Sequence, residues 1–251
     1  MSASILITGA SSGLGAALAE IYAAPGVTLF LGGRNAERLE TVAGVCRSRG
    51  AEAKIAIVDV VDRPGTEAWV LACDAERPLT LVIANAGISG GTGNKLGETA
   101  EQTRSIFSAN LDGVMNTVLP VIPAMQGRKS GQIALMASLA GFRGMPGAPA
   151  YCASKAAVRV WGEGMRGFLA RDKVGVTVIC PGFVETAMTA KNRFPMPFLM
   201  GAAQAAAIMK KGIDANKARV AYPWQTYAMV RALAALPPSW TDRMLARAPG
   251  K

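Results

Sequence analysis

Tyr151 and Lys155 lie four residues apart in Tyr151-Cys-Ala-Ser-Lys155, in a chain that contains no histidine. On a helix that spacing puts both side chains on one face, so a permanent cation can lie beside a phenol. A free phenol titrates near ~10, and a neighbouring ammonium favours the phenolate and draws that value toward neutrality. A chain without imidazole that needs a proton donor near neutral pH can use such a pair. The same spacing also suits an ordinary helix start with a part-buried tyrosine and a solvated lysine. The surrounding residues decide between the two.

A second chemistry is written near the N-terminus. Thr8-Gly-Ala-Ser-Ser-Gly-Leu-Gly15 stands between an apolar run and a segment of helical composition. Glycines there let the backbone turn tightly and approach a pyrophosphate, while the helix start offers free N–H groups and a positive dipole end. The spacing Gly9-x3-Gly13-x-Gly15, with Ser11, Ser12 and Leu14 between, differs from G-x-G-x-x-G but works by the same mechanics. About 20 residues on, an acid would hydrogen-bond the ribose 2′-hydroxyl of NAD. That place holds Gly32-Gly33-Arg34-Asn35 and no acid. Arg34 can instead grip the 2′-phosphate of NADP, with Arg38 one turn further on, so NADP is the expected cofactor. Arg34 also fits as a surface arginine beside an N-capping Asn35, and Glu37 can swing toward a ribose hydroxyl. Asp59 can accept from an adenine amino group or cap a helix. Asn85-Ala86-Gly87 offers small residues past which a cofactor can lie close to the backbone.

These groups need elements to hold them. Apolar runs of strand length occur at Ser4–Ile7, Val27–Leu31, Lys54–Val58, Leu79–Ala84, Gly131–Ala137, Val174–Ile179 and near Lys217–Tyr222. Helical segments lie between them at Ala16–Ala23, Ala36–Arg49, Thr103–Met125 (despite Pro120 and Pro123) and Tyr151–Ala170. Short strands alternating with helices predict an α/β fold, a doubly wound, mostly parallel sheet in three layers. Its right-handed crossovers make it Rossmann-like, and ligands bind beyond the strands' C-terminal ends. One domain over residues 1–251 is expected, with 186–212 interrupting the alternation as a substrate-binding flap.

Composition bounds the rest. With 51% hydrophobic and 18% charged residues the chain is not disordered. No apolar run approaches the ~18 residues that cross a bilayer, and Met1 leads into a strand without the features of a signal peptide, so a cytoplasmic protein is expected. Cys46, Cys73, Cys152 and Cys180 show no paired metal-ligand spacing, and no metal site is expected. From Lys191 to Lys251 ten basic residues face only Asp214 and Asp242, leaving the first 190 residues nearly balanced. Such a segment can face an anionic substrate, an acidic lipid surface or only solvent; no zinc-finger or RNA-binding signature accompanies it, so nucleic acid is not expected. The apolar Phe194–Met200 stretch and Lys210-Lys211 also allow a weak peripheral contact with membrane, or packing on the domain or a neighbouring subunit.

Taken together the motifs resemble the short-chain dehydrogenase/reductase superfamily, in its single-domain branch. The glycine turn, Asp59-Val60, and Ala84-Asn-Ala-Gly87 (with Ala where the family commonly has a first Asn) match its cofactor contacts. Asn110 in Ser108-Ala-Asn-Leu111, Ser138 in Met136-Ala-Ser-Leu-Ala140 and the Tyr151/Lys155 pair match its catalytic groups. Pro181-Gly182-Phe-Val184-Glu-Thr186 matches its nicotinamide-side loop. The last ~60 residues fall outside the match. The resemblance implies hydride transfer between a nicotinamide and a carbonyl or secondary alcohol. Tyr151 would be the acid or base, Ser138 the oxygen's hydrogen-bond partner, and Lys155 the ribose ligand that lowers the phenol pKa. Asn110 would position a relay water, and Thr186 with the Val184 backbone would orient the carboxamide. It also implies a homodimer or homotetramer. A nonenzymatic NADP-binding sensor or scaffold is the alternative; such a protein should lack one of these four catalytic groups. The small-molecule substrate is expected to be apolar or lipid-like.

Overall fold

The computed structural model describes residues 3–90, 98–192 and 194–245. Residue 193 of the expected flap and the basic residues beyond 245 lie outside that range. Seven strands form one wholly parallel sheet in the order β3-β2-β1-β4-β5-β6-β7. They are β1 Ser4–Thr8, β2 Thr28–Gly33, β3 Glu52–Ile57, β4 Leu81–Ala84, β5 Gly131–Met136, β6 Val174–Pro181 and β7 Arg219–Tyr222. Every expected strand is present, with ends shifted by one to a few residues.

Alternation along each strand divides the core between two faces. On one, Ile5, Ile7, Leu29 and Leu31 pack with α1 (Gly13–Tyr22), α2 (Ala36–Ser48) and α8 (Ala202–Asp214). On the other, Leu6, Phe30, Val82 and Leu135 pack with α3 (Arg63–Glu76), α5 (Gly113–Val118), α6 (Ile122–Arg128), α7 (Pro149–Leu169) and α9 (Trp224–Ala235). A short α4 (Ala100–Phe107) and α10 (Pro238–Leu245) are the remaining helices among the described residues. The order in which successive strands are added reverses between β1 and β4, which opens a crevice at their C-terminal ends.

Besides α9 and α10, which the sequence pattern does not predict, three segments differ from expectation. The single helix expected over 103–125 is broken. A π-helical turn, Ser108–Asp112, joins α4 to α5, and a 3-10 turn, Leu119–Val121, joins α5 to α6. Pro120 and Pro123 lack the N–H a continuous helix needs. Helix α3 is an addition; its start is set by Asp62, whose side chain accepts from the Gly65 N–H, with Pro64 in the first turn. Within 186–212, α8 begins at Ala202 and packs along α1 as a layer helix.

Candidate active site

A cleft of about 720 Å³ lies over the strand ends between β1 and β4. Every residue expected at the site lines it except Gly15 and Asn110, which stand just behind its wall.

At its centre the backbone itself is the wall. Gly9 has φ +66°, and a Cβ there would come within 2.8 Å of the Ala86 Cα; one on Gly15 would come within 2.2 Å of the Gly9 carbonyl oxygen. Only glycine fits at either position. Thr8 Oγ1 accepts from the Asn85 and Ala86 N–H groups at 3.1 and 3.2 Å, and Asn85 Nδ2 donates to the Thr8 carbonyl at 3.0 Å. These bonds stitch the ends of β1 and β4 together under the cleft. Ser12 begins α1 without capping it by its side chain, and no acid stands in the first turn. The helix start thus keeps its N–H donors and positive end for an anion, and the lining fits the pyrophosphate of a dinucleotide.

At one end Arg34 and Arg38 line the cleft. Arg34 is 70% exposed, and its Nη1 lies 3.8 Å from Asp59 Oδ2. Asn35 does cap α2, accepting from the Arg38 N–H at 2.8 Å.

At the other end Ser138, Tyr151 and Lys155 converge. Ser138, the residue that starts the 3-10 turn Leu139–Phe142, accepts from the Ala140 N–H and hydrogen-bonds the Tyr151 side chain. Lys155 is 3% exposed and donates to the Met136 carbonyl at 2.8 Å, with its Nζ 5.9 Å from the centre of the Tyr151 ring. The depression of the phenol by this ammonium, expected from spacing, is not what the cleft produces. Burial pushes the Tyr151 pKa up, with the Ser138 hydrogen bond working against it. Burial pushes Lys155 down to about 8. The cation is turned toward a carbonyl rather than the phenol oxygen, so desolvation outweighs their attraction.

Asn110 is fully buried in the π-helical turn, a type of widened turn that often carries functional side chains. Its amide clasps the Ile88 backbone, accepting from N–H at 2.7 Å and donating to C=O at 2.9 Å, and donates to Ser154 Oγ at 3.0 Å. Opposite Tyr151, the segment after β6 is fixed by Thr189, which donates to the Val184 carbonyl at 2.6 Å and accepts from the Thr186 N–H at 2.9 Å. The Phe183 and Phe194 rings meet edge to face at 5.9 Å. Thr8, Ser154 and Thr189 were not singled out from the sequence for these positioning bonds. Thr8 and Ser154 lie inside the recognised motifs, whereas nothing local marks Thr189.

The fold and this cleft define a dinucleotide-type oxidoreductase, and comparison with known proteins gives the family. The family described as short chain dehydrogenase matches residues 3–196, so the chain belongs to the short-chain dehydrogenases, an oxidoreductase family. It is 42% identical over 233 residues to an uncharacterized oxidoreductase of Myxococcus xanthus, covering 92% of each. It is 34% identical to the ketoacyl reductase HetN of a Nostoc species over 78% of this chain and 69% of that one. Among solved structures, a short-chain dehydrogenase of Sphingobium yanoikuyae in complex with NADPH superposes with a TM-score of 0.81 at 24% identity, over 98% of this chain and 96% of that one. Among the described residues no helix is long and apolar enough to cross a membrane.

Proposed function

We propose that this chain is an NADP(H)-dependent oxidoreductase interconverting a carbonyl and a secondary alcohol on an apolar, acyl-like substrate. The observation that carries the reading is the convergence of Ser138, Tyr151 and Lys155 at one end of a cleft whose other end carries Arg34 and Arg38. A bound nicotinamide supplies or takes up the hydride. Tyr151 gives a proton to the substrate oxygen in reduction and removes it in oxidation. Burial keeps the phenol protonated, which suits the donor. Ser138 hydrogen-bonds the same oxygen and favours the charge that develops on it. Lys155 turns to the ribose hydroxyls and supports the phenolate once the proton has left. The open side of Gly87 lies 2.9 Å from Asn110 Oδ1 and 3.3 Å from Lys155 Nζ, measured from the Cβ it lacks. A water beside it would relay protons to Lys155. Thr186 and the Val184 backbone orient the carboxamide, aided by Pro181 and Gly182, while Asp59 and Val60 meet the adenine. Arg34 and Arg38 hold the 2′-phosphate.

The substrate class rests on Met188 and Ala187 in the lining and on the name of the Nostoc relative. In this reading the stretch of 186–212 ahead of α8 serves as the substrate flap, a homodimer or homotetramer covers the exposed Val160 and Phe168 of α7, and the four buried thiols suit the cytoplasm. Exposed Trp224 and Trp240 on the basic C-terminal segment favour a weak secondary contact with anionic lipid. A nonenzymatic sensor or scaffold is disfavoured because Asn110, Ser138, Tyr151 and Lys155 are all present. The test is NADPH consumption against a panel of aldehydes, sugars, steroid ketones and 3-oxoacyl thioesters. Apolar 3-oxo compounds should turn over fastest; no consumption with any of them would favour the sensor.

A further inference from the structure

Helix α7, which carries Tyr151 and Lys155, starts without a cap of its own. Its N-cap position is Ala148, whose side chain can accept nothing, and Pro149 brings no N–H. Ala150 therefore offers the first free donor of the helix. The residue is only 5% exposed, so that N–H needs a partner within the protein.

The partner comes from the far side of β5. Glu98 Oε2 accepts from the Ala150 N–H at 2.8 Å, and Glu98 Oε1 is shut off from solvent. A carboxylate at a helix start meets the positive dipole end, and a charge-assisted bond sheltered from water is a strong one. The next residue, Thr99, caps α4 by accepting from the Gln102 N–H at 3.1 Å, so the carboxylate is carried on a fixed helix start.

A second bond reaches α7 one turn further along. Asn110, in the π turn that follows α4, donates to Ser154 Oγ at 3.0 Å, and Ser154 Oγ donates in turn to the Tyr151 carbonyl at 2.8 Å. Ala150 and Ser154 are four residues apart and share one face of α7, with Tyr151 between them in the chain. The turn that bears the phenol is thus held at both ends, by Glu98 and by Asn110. Asn110 belongs to the recognised motifs, whereas Glu98 lies outside them and does not line the cleft.

We propose that Glu98 is a positioning residue for Tyr151, fixing the first turn of α7 so that the phenol reaches the substrate oxygen beside Ser138. The inference rests on the reading of Tyr151 as proton donor. Without the carboxylate the buried Ala150 N–H loses its acceptor, and the first turn frays. Misplacing a reacting group by ~1 Å can cost on the order of 10² in rate. The loss falls on kcat rather than on cofactor affinity, because Glu98 stands away from the cleft lining.

Two measurements on the full chain test this: amide hydrogen exchange over residues 150–155, and NADPH-dependent reduction of the N-acetylcysteamine thioester of acetoacetate. Glu98→Ala should speed exchange in that segment and lower kcat, each by roughly tenfold or more, and leave NADPH affinity within about twofold of the parent's. Glu98→Gln keeps an oxygen for the Ala150 N–H and should restore most of the lost kcat. Glu98→Asp keeps the charge but ends one methylene short, so it should resemble Glu98→Ala, and it decides if that variant fails to fold. Parent-like exchange or parent-like kcat in Glu98→Ala, or equal losses in the Gln and Ala variants, overturns the proposal. Failure of the Tyr151 reading looks different: the parent then turns over no faster than Tyr151→Phe, which ends the positioning role whatever the exchange shows.

Discussion

Lys155 combines near-complete burial with a single carbonyl partner, Met136, and its folded-state pKa falls to about 8 from an ordinary 10.5. Between those two values the unfolded chain holds a proton that the folded chain has released, so this group's contribution to stability rises with pH across that window. Below pH 8 the ammonium is buried at full cost, on the order of 3 kcal/mol at most. Lys155→Met should therefore unfold at a urea midpoint no lower than the parent at pH 7, with its relative advantage shrinking toward pH 10. A clear loss of stability at pH 7 would contradict a net cost of burial. Tyr151→Phe should bind NADPH as the parent does while turnover drops by a factor on the order of 10² or more, the scale of general acid–base loss. Stopped-flow turnover close to the parent's would remove Tyr151 from the mechanism. At this scale the sequence is informative about residue type and poor about environment. Spacing alone pairs phenol and ammonium, but the direction of each pKa depends on burial and on the Met136 carbonyl, which no local pattern announces.

Among elements, the junction of β1 with β4 builds the floor of the cleft and, under the proposed function, the seat of the cofactor. Asn85 Nδ2 and Thr8 Oγ1 hold two strand ends whose connections run in opposite directions, and the glycine turn is built on them. Asn85→Ala removes two bonds worth about 1 kcal/mol each, so the melting temperature should fall by a few degrees and, with the turn loosened, NADPH affinity should fall as well. A fluorescence titration that finds unaltered affinity would mean that the turn holds its shape unaided. The strands were legible because buried parallel strands read as unbroken apolar runs bounded by glycine or polar residues. Helix α3 was not, since its apolar stripe of Val70 and Cys73 is thin and its start depends on the Asp62 cap. The broken α4–α6 stretch was also hidden. Helical composition continues through Ser108–Asp112, and the π turn is held by tertiary bonds from Asn110 to Ile88 and Ser154 rather than by propensity.

For the molecule as a whole, the four cysteines are buried, and desolvation lifts Cys46 to about 11 and Cys73 and Cys180 to about 12. Thiolates are scarce at such values, so dithionitrobenzoate should label the native protein only as fast as the chain opens, and all four thiols at once in urea. Rapid labelling of any one in buffer would reveal local opening. Under the proposed cofactor assignment, Arg34→Asp should move preference from NADPH toward NADH; an unchanged ratio would assign the 2′-phosphate to Arg38 or elsewhere. The two ends of the cleft differ in what holds them. The glycine turn, the proposed pyrophosphate cradle, is made of main-chain atoms so close that one extra carbon at Gly9 or Gly15 collides with backbone. Arg34 stands 70% exposed with one distant carboxylate as partner. Mutation therefore has unequal access to them. Descendants of this chain are bound to keep their coenzyme's common core, while the choice between its phosphorylated and plain forms lies open to single-codon drift.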